Sequence, residues 1–257
     1  MKKIILLNKK EGETPLEALE VFRAKNKIYK NVKMTYAGRL DPMASGLLLI
    51  LAGDETKNKE KYLNLGKEYK FEVLFGFNTD TYDILGKVTT NFEFSATDYK
   101  LKELETKIKK ELKNFTGKFK QKYPIFSSKT VKGKPLFFYA RHGENIEVPD
   151  REINVKSIKF IKLRKINNEK LLENIECRIK KVQGDFRQKE ILEIWRKKLK
   201  QGQSLLKKEE YFYIANLEIK CGTGTYVRGI VNSLSENIRI PALAYSIKRT
   251  KIGKYVL

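Results

Sequence analysis

The sequence of 257 residues predicts a fold built from both strands and helices. Two kinds of pattern carry that reading. Apolar residues alternate with polar ones, as in half-buried strands, around 67–77 and 211–221. Apolar stripes at helical spacing occupy 101–115 and 188–199, among charged residues. A chain of this length can bury a substantial core in one large domain or two small ones.

The elements follow in order. Residues 3–8, with the run Ile4-Ile5-Leu6-Leu7, read as a first strand. The run is too short for a signal peptide or a membrane span. Thr14 is placed to cap a helix that has Pro15 in its first position and runs to about Lys25. Residues 47–52 are apolar throughout and form a buried segment, strand or helix. Tyr69, Phe71, Val73 and Phe75 alternate along a strand, and 78–86 is an acidic, Thr-rich loop. Leu101, Leu104, Ile108 and Leu112 line one stripe of a helix whose Lys-rich face meets solvent.

Residues 117–150 lack a sustained period. They interleave basic residues with Phe119, Tyr123, Phe126, Phe137, Phe138 and Tyr139. That mixture suits RNA, whose phosphates and unstacked bases are both contacted, and equally suits a loop with a small core of its own. Then come a strand at 153–163, the helix at 188–199 with Trp195 as a core anchor, the strand at 211–221, and a helix at 225–237. Gly222-Thr223-Gly224 lacks the spacing of a nucleotide-binding loop.

The formal charge is +23, from 54 basic and 31 acidic residues. Such an excess favours a polyanion, because each neutralised phosphate releases counterions. An AT-rich genome, rich in Lys, Ile and Asn codons, would produce the same bias. Eleven of the basic residues are arginine, so Arg39, Arg141 and Arg228 stand out. Cys177 and Cys221 are too far apart in sequence for a metal-ligand pair, and His142 is the single histidine. No metal, no cofactor and no disulfide framework is expected, and a reducing cytoplasm fits. His142 reads as an exposed helix-end residue.

One acid stands out. In Gly38-Arg39-Leu40-Asp41-Pro42-Met43-Ala44-Ser45-Gly46, Asp41 lies between turn-forming residues and the apolar run that follows. An Asp-Pro is ordinarily a surface turn. A lone carboxylate at the edge of a core can also be a nucleophile or a base.

This stretch resembles the catalytic signature of pseudouridine synthases. Its Asp-Pro-X-Ala-X-Gly-Leu-Leu form is similar to the TruB family, which modifies the TΨC loop of tRNA. Further segments resemble that family in the same order. They are Asn8 to Gly12, Gly53-Asp54-Glu55-Thr56-Lys57, Lys67-Glu68-Tyr69, Gly76 to Gly86, Gln121 to Arg141, Cys221 to Arg228, and Ile247 to Tyr255.

The resemblance implies one catalytic domain over 1–257. Its fold would be α+β, with a central mixed, mainly antiparallel sheet, flanking helices and an RNA-gripping thumb at about 117–150. Residues 166–210 would be a lysine-rich helical insertion absent from shorter members. No C-terminal RNA-binding domain is expected, since the chain stops two residues after Tyr255. The implied activity isomerises U55 of tRNA: the N1–C1′ bond breaks, the base turns, and it rejoins through C5. By this resemblance Asp41 is the catalytic acid, Arg228 holds it, and Tyr69 stacks on the uracil. Attack at C1′ and removal of the C2′ proton are both open to Asp41. Lys129, Lys132, Lys134, Arg141, Ile247, Arg249, Arg39 and Tyr36 are the expected RNA contacts, with the T-arm of tRNA as partner and a monomer as the acting species.

Two positions depart from the family pattern. Tyr36 replaces a histidine, and it is expected to contact RNA without acid–base duty, since a phenol near pKa 10 is a poor proton carrier at neutral pH. Arg39 also resembles the rRNA-type signature Gly-Arg-Leu-Asp. The competing functions are a synthase for another RNA, such as rRNA, and a non-catalytic tRNA-binding or tRNA-folding protein on the same scaffold.

Overall fold

A computed structural model describes residues 1–89, 100–205 and 211–257. The last five residues of the 166–210 segment lie outside that description.

The elements are β1 Ile4–Lys9, α1 Pro15–Lys25, β2 Met34–Ala37, β3 Ala44–Ala52, α2 Lys59–Leu63 and β4 Lys67–Phe75. They continue with α3 Leu101–Leu112, β5 Gly117–Lys122, β6 Thr130–Val131, β7 Lys134–Pro135, α4 Leu136–His142, β8 Asp150–Asn167, α5 Asn168–Ile179 and α6 Gln188–Leu205. The chain closes with β9 Tyr211–Cys221, α7 Val227–Ile238, β10 Ala242–Ile252 and β11 Tyr255–Val256. The main sheet runs β1-β3-β10-β4-β9-β8-β5, with β2 on β3 and β11 on β10. Among the described residues, β3 with β10 is the one parallel pair; the others are antiparallel. The expected α+β fold with a mixed, mainly antiparallel sheet is therefore observed.

The apolar run is a strand because both of its faces are covered. Leu48, Ile50 and Ala52 pack on Ile5, Ala18, Leu19 and Tyr29. Leu47, Leu49 and Leu51 pack on Tyr62 and Ile252. A strand buried on both faces loses the alternation that would have marked it. Helix α1 starts as expected, with a capping box in which Thr14 accepts from the Glu17 amide and the Glu17 carboxylate accepts from the Thr14 amide.

The main core joins β4 to α3, α7 and the α5–α6 pair. It contains Phe71, Val73, Leu104, Ile108, Leu171, Ile175, Trp195, Ile230 and Leu234. Trp195 is the anchor its position implied. It is wholly buried, packs edge-on against Phe77 at 5.0 Å, and donates its indole N–H to the Ile84 carbonyl at 3.2 Å. Trp195→Ala should therefore cost about 3–5 kcal/mol in denaturant titrations, the usual scale for emptying such a site. A loss within about 0.5 kcal/mol, the range of ordinary surface substitutions, would contradict this packing role.

Regular structure also appears where the sequence showed none. Within 117–150, β5 pairs with β8 at the sheet edge, and α4 buries Leu136 and Tyr139. An edge strand reading Gly-Lys-Phe-Lys-Gln-Lys presents mostly polar residues, so its alternation is faint. Strand β8 also exceeds the expected 153–163 at both ends.

Candidate active site

Asp41 lies on the short loop from β2 to β3, which is fastened from several sides. Its own carbonyl accepts from the Ala44 amide at 2.9 Å, and the Pro42 carbonyl accepts from the Gly12 amide at 2.9 Å. The Lys9 ammonium donates to the carbonyls of Lys10, Glu13 and Pro42. Burial pushes the Lys9 pKa down to about 8, with Glu13 and Asp41 pulling it back up. Arg249 donates to the carbonyls of Leu47, Arg39 and Gly38. This fastening needs Gly46. It has φ +101°, and a Cβ there would stand 2.3 Å from the Arg249 carbonyl oxygen, so β3 and β10 could not meet.

Arg228 comes from the first turn of α7. Gln121 of β5 fixes that turn by accepting from the Tyr226 amide at 2.9 Å and donating to its carbonyl at 3.0 Å. The Arg228 guanidinium reaches Asp41 with both arms, Nε to Oδ2 at 2.8 Å and Nη2 to Oδ1 at 3.0 Å. It also donates to the carbonyls of Thr81 and Phe126, and lies 3.6 Å from Asp83 Oδ2. The Arg228 side chain is 3% exposed and that of Asp41 is 37% exposed. The acid thus faces the outside while the group that orients it is sealed behind. Burial opposes the charge on Arg228, yet Asp41 and Asp83 hold its pKa above the ordinary value.

Asp83 completes the cluster from the loop after β4, where it accepts from the Thr81 hydroxyl and the Leu85 amide. Burial raises its carboxyl from 3.8 to about 6, Arg228 opposes the rise, and Asp41 adds to it. The folded chain therefore binds this proton more tightly than the unfolded chain does. The stability it adds is complete below about pH 4 and lost as pH rises through about 6. Asp83→Asn cannot titrate, and should flatten the stability–pH curve across that window. Parallel curves for the two proteins would contradict the assignment.

Other expected contacts fall in three places. Tyr69 is buried on β4, opposite Arg249 on β10, and burial raises its pKa while Arg249 opposes the rise. Arg39, Lys129, Lys132, Lys134 and Arg141 are exposed. Lys129 lies 5.5 Å over the ring of Tyr123, Lys134 lies 4.1 Å over Phe138, and Arg141 donates to the Asp185 carbonyl at 2.7 Å. Tyr36 is half-buried on β2 against the cluster around Leu48, with the Arg39 and Lys59 cations 6.0 and 5.7 Å from its ring.

Arg249 and Ile247 differ from the expected RNA contacts. Arg249 is 1% exposed and its guanidinium is committed to backbone carbonyls, so it braces the Asp41 loop. Ile247 is buried in the main core. His142 is exposed at the end of α4, as its position implied. Asp83 and Lys9 had no assigned role, although both stand in segments that resemble the family. Nothing local in either segment marks a residue that a distant arginine or loop will meet.

The family model described as "TruB family pseudouridylate synthase (N terminal domain)" matches residues 26–186. The chain is 30% identical to the tRNA pseudouridine synthase B of Ligilactobacillus salivarius over 254 residues, covering 98% of this chain and 68% of that protein. It is 31% identical to the tRNA pseudouridine synthase B of Borreliella afzelii, covering 98% and 70%. Among solved structures it resembles a chain in a crystal structure of a Cbf5–Nop10–Gar1 complex, with TM-score 0.56 and 17% identity over 98% of this chain. It spans about half of that chain's length, 49%. The last likeness is one of fold, while the sequence relatives extend along nearly the whole chain. The chain belongs to the TruB family of pseudouridylate synthases, and its enzyme class is that of the tRNA pseudouridine synthases.

Proposed function

We propose that this chain converts U55 of the TΨC loop of tRNA to pseudouridine, with Asp41 as the acid that acts on the ribose. The observation that carries the reading is the two-armed Asp41–Arg228 pair, open on the acid's side and buried on the arginine's. Such a pair fixes a carboxylate in direction while leaving an oxygen face for a substrate. The reaction exchanges the N1–C1′ bond for a C5–C1′ bond within one nucleotide, with the C5 proton lost and a proton gained at N1. It consumes no co-substrate and changes no oxidation state, and the proposed acting species is a monomer. The target base must leave its stack, which costs a few kcal/mol that the pocket must return.

Tyr69, on the strand beside β10, is the proposed surface for the uracil, which would meet the small part of the residue left exposed, 8%. Attack of Asp41 at C1′ and removal of the C2′ proton both place the ribose at the exposed side of the same carboxylate, whose two oxygens also accept from Arg228. The β6–β7 hairpin, with Lys129, Lys132 and Lys134 exposed about it, would grip the T-arm backbone as a thumb. Among the described residues no helix is long and apolar enough to cross a membrane, and a cytoplasmic site of action goes with the proposed tRNA substrate.

Conversion of an isolated T-arm stem-loop tests the reading: stoichiometric pseudouridine at U55 is expected, and a stem-loop left unconverted would contradict it. Replacing Lys129, Lys132 and Lys134 together by alanine should weaken RNA binding and reduce the slope of log K against log salt by about 2. An unchanged slope would assign these lysines to the hairpin's own packing.

A further inference from the structure

We propose that Arg187, on the link between α5 and α6, is a positioning residue for the Asp41–Arg228 pair. The proposal rests on the function just described.

Its guanidinium reaches two segments that hold Arg228. Nη1 donates to Asp80 Oδ2 at 2.7 Å and Nη2 to Asp80 Oδ1 at 3.3 Å, with the two side chains 19% and 23% exposed. The same guanidinium lies 4.3 Å over the ring of Phe126. Asp80 precedes Thr81, whose carbonyl accepts from Arg228, and the carbonyl of Phe126 accepts from Arg228 as well. One cation therefore clamps both backbone acceptors of the catalytic arginine from outside the cluster. Asp80 is also tied into its loop by accepting from the Lys87 amide at 2.9 Å.

The link is built to present Arg187. Its φ is +62°, a left-handed conformation that an arginine keeps only where its surroundings hold it. Gln188 donates to the carbonyls of Val182 and Gly184 and accepts from the Phe186 amide, and Arg141 holds the Asp185 carbonyl. Trp195 ties α6 to the Ile84 carbonyl in the same loop as Asp80.

A second leg of the same unit reaches Asp41's side. Arg178 near the end of α5 pairs with both oxygens of Glu11, at 2.8 and 2.7 Å. The next residue, Gly12, donates to the Pro42 carbonyl, and a Cβ on Gly12 would stand 2.7 Å from the Lys181 carbonyl oxygen. The α5–α6 unit thus supports both loops that meet at the catalytic pair. A phosphate contact is a poorer use of Arg187, because Asp80 engages both Nη atoms and Phe126 covers one face.

The test compares Arg187→Met, Arg187→Lys, Asp80→Asn and the Arg187→Met/Asp80→Asn double variant with wild type. Single-turnover rate at saturating T-arm stem-loop, Kd for that RNA, and melting temperature are read for each. Expected are an Arg187→Met rate lower by about tenfold or more with Kd within about threefold, partial recovery in Arg187→Lys, and a double variant no slower than the slower single. If Arg187→Met does not fold, Arg187→Lys and Asp80→Asn carry the same comparison. An unchanged rate, a loss confined to Kd, or multiplying losses in the double variant would overturn the proposal. A wild-type chain that converts no tRNA would overturn the functional reading and this proposal with it; normal wild-type turnover with an undiminished Arg187→Met rate overturns this proposal alone.

Discussion

Asp41→Asn is expected to lower single-turnover pseudouridine formation by roughly four orders of magnitude or more, the scale of losing a reacting side chain. RNA affinity should move by less than about 1 kcal/mol, or about fivefold in Kd. The amide keeps the size of the carboxylate, but it has neither the negative charge nor the second acceptor oxygen that attack or proton removal requires. Arg228 would keep Asp83 and its two carbonyl partners, so the loop should stay in place. Asp41 is the partly exposed acid of the cluster, which limits the cost to folding. Turnover within about tenfold of wild type would remove Asp41 from the chemistry.

Arg228→Ala should reduce both activity and stability, the latter by about 3–5 kcal/mol, because removal of one partner leaves buried charge uncompensated. Asp83 suffers most, being buried with Arg228 as its ion-pair partner. Adding Asp83→Asn to Arg228→Ala should therefore return part of the stability while turnover stays lost, since nothing then orients Asp41. Arg228→Lys keeps a cation but cannot bridge Asp41 with two parallel bonds while also serving the carbonyls of Thr81 and Phe126. It should fold better than the alanine variant and still turn over at least about 100-fold more slowly than wild type. Urea titrations and single-turnover rates on the four proteins check these orders. An Arg228→Ala protein as stable as wild type would contradict the buried cluster.

Much of the fold was legible where side chains face a single environment. The alternation of Tyr69, Phe71 and Val73, the stripe of α3 and the Thr14 cap all appear as read. The run at 47–52 left strand and helix open because β3 is buried on both faces, which only the neighbours reveal. Strand β5 was hidden because half of its residues are Lys and it lies at a sheet edge. In the site, Asp41 and Arg228 were found through motif resemblance, and the geometry brings them together. Their 187-residue separation makes the pairing invisible to any local pattern. Arg249, expected at the RNA, lies elsewhere than a local reading would place it. Its segment resembles the family's closing segment, and its burial against carbonyls of the Asp41 loop follows only from the parallel meeting of β3 with β10. Asp83 and Arg187 are of the same kind: an acid in a Thr-rich loop and an arginine in a Lys-rich segment take their meaning from residues far away in sequence.

The most direct measurement is nucleotide-resolution mapping of pseudouridine in a full-length tRNA transcript incubated with wild-type or Asp41→Asn protein. One new pseudouridine, at U55, is expected with wild type and none with the variant. Product at a different uridine, or equal product with both proteins, would contradict an Asp41-driven isomerisation of the TΨC loop.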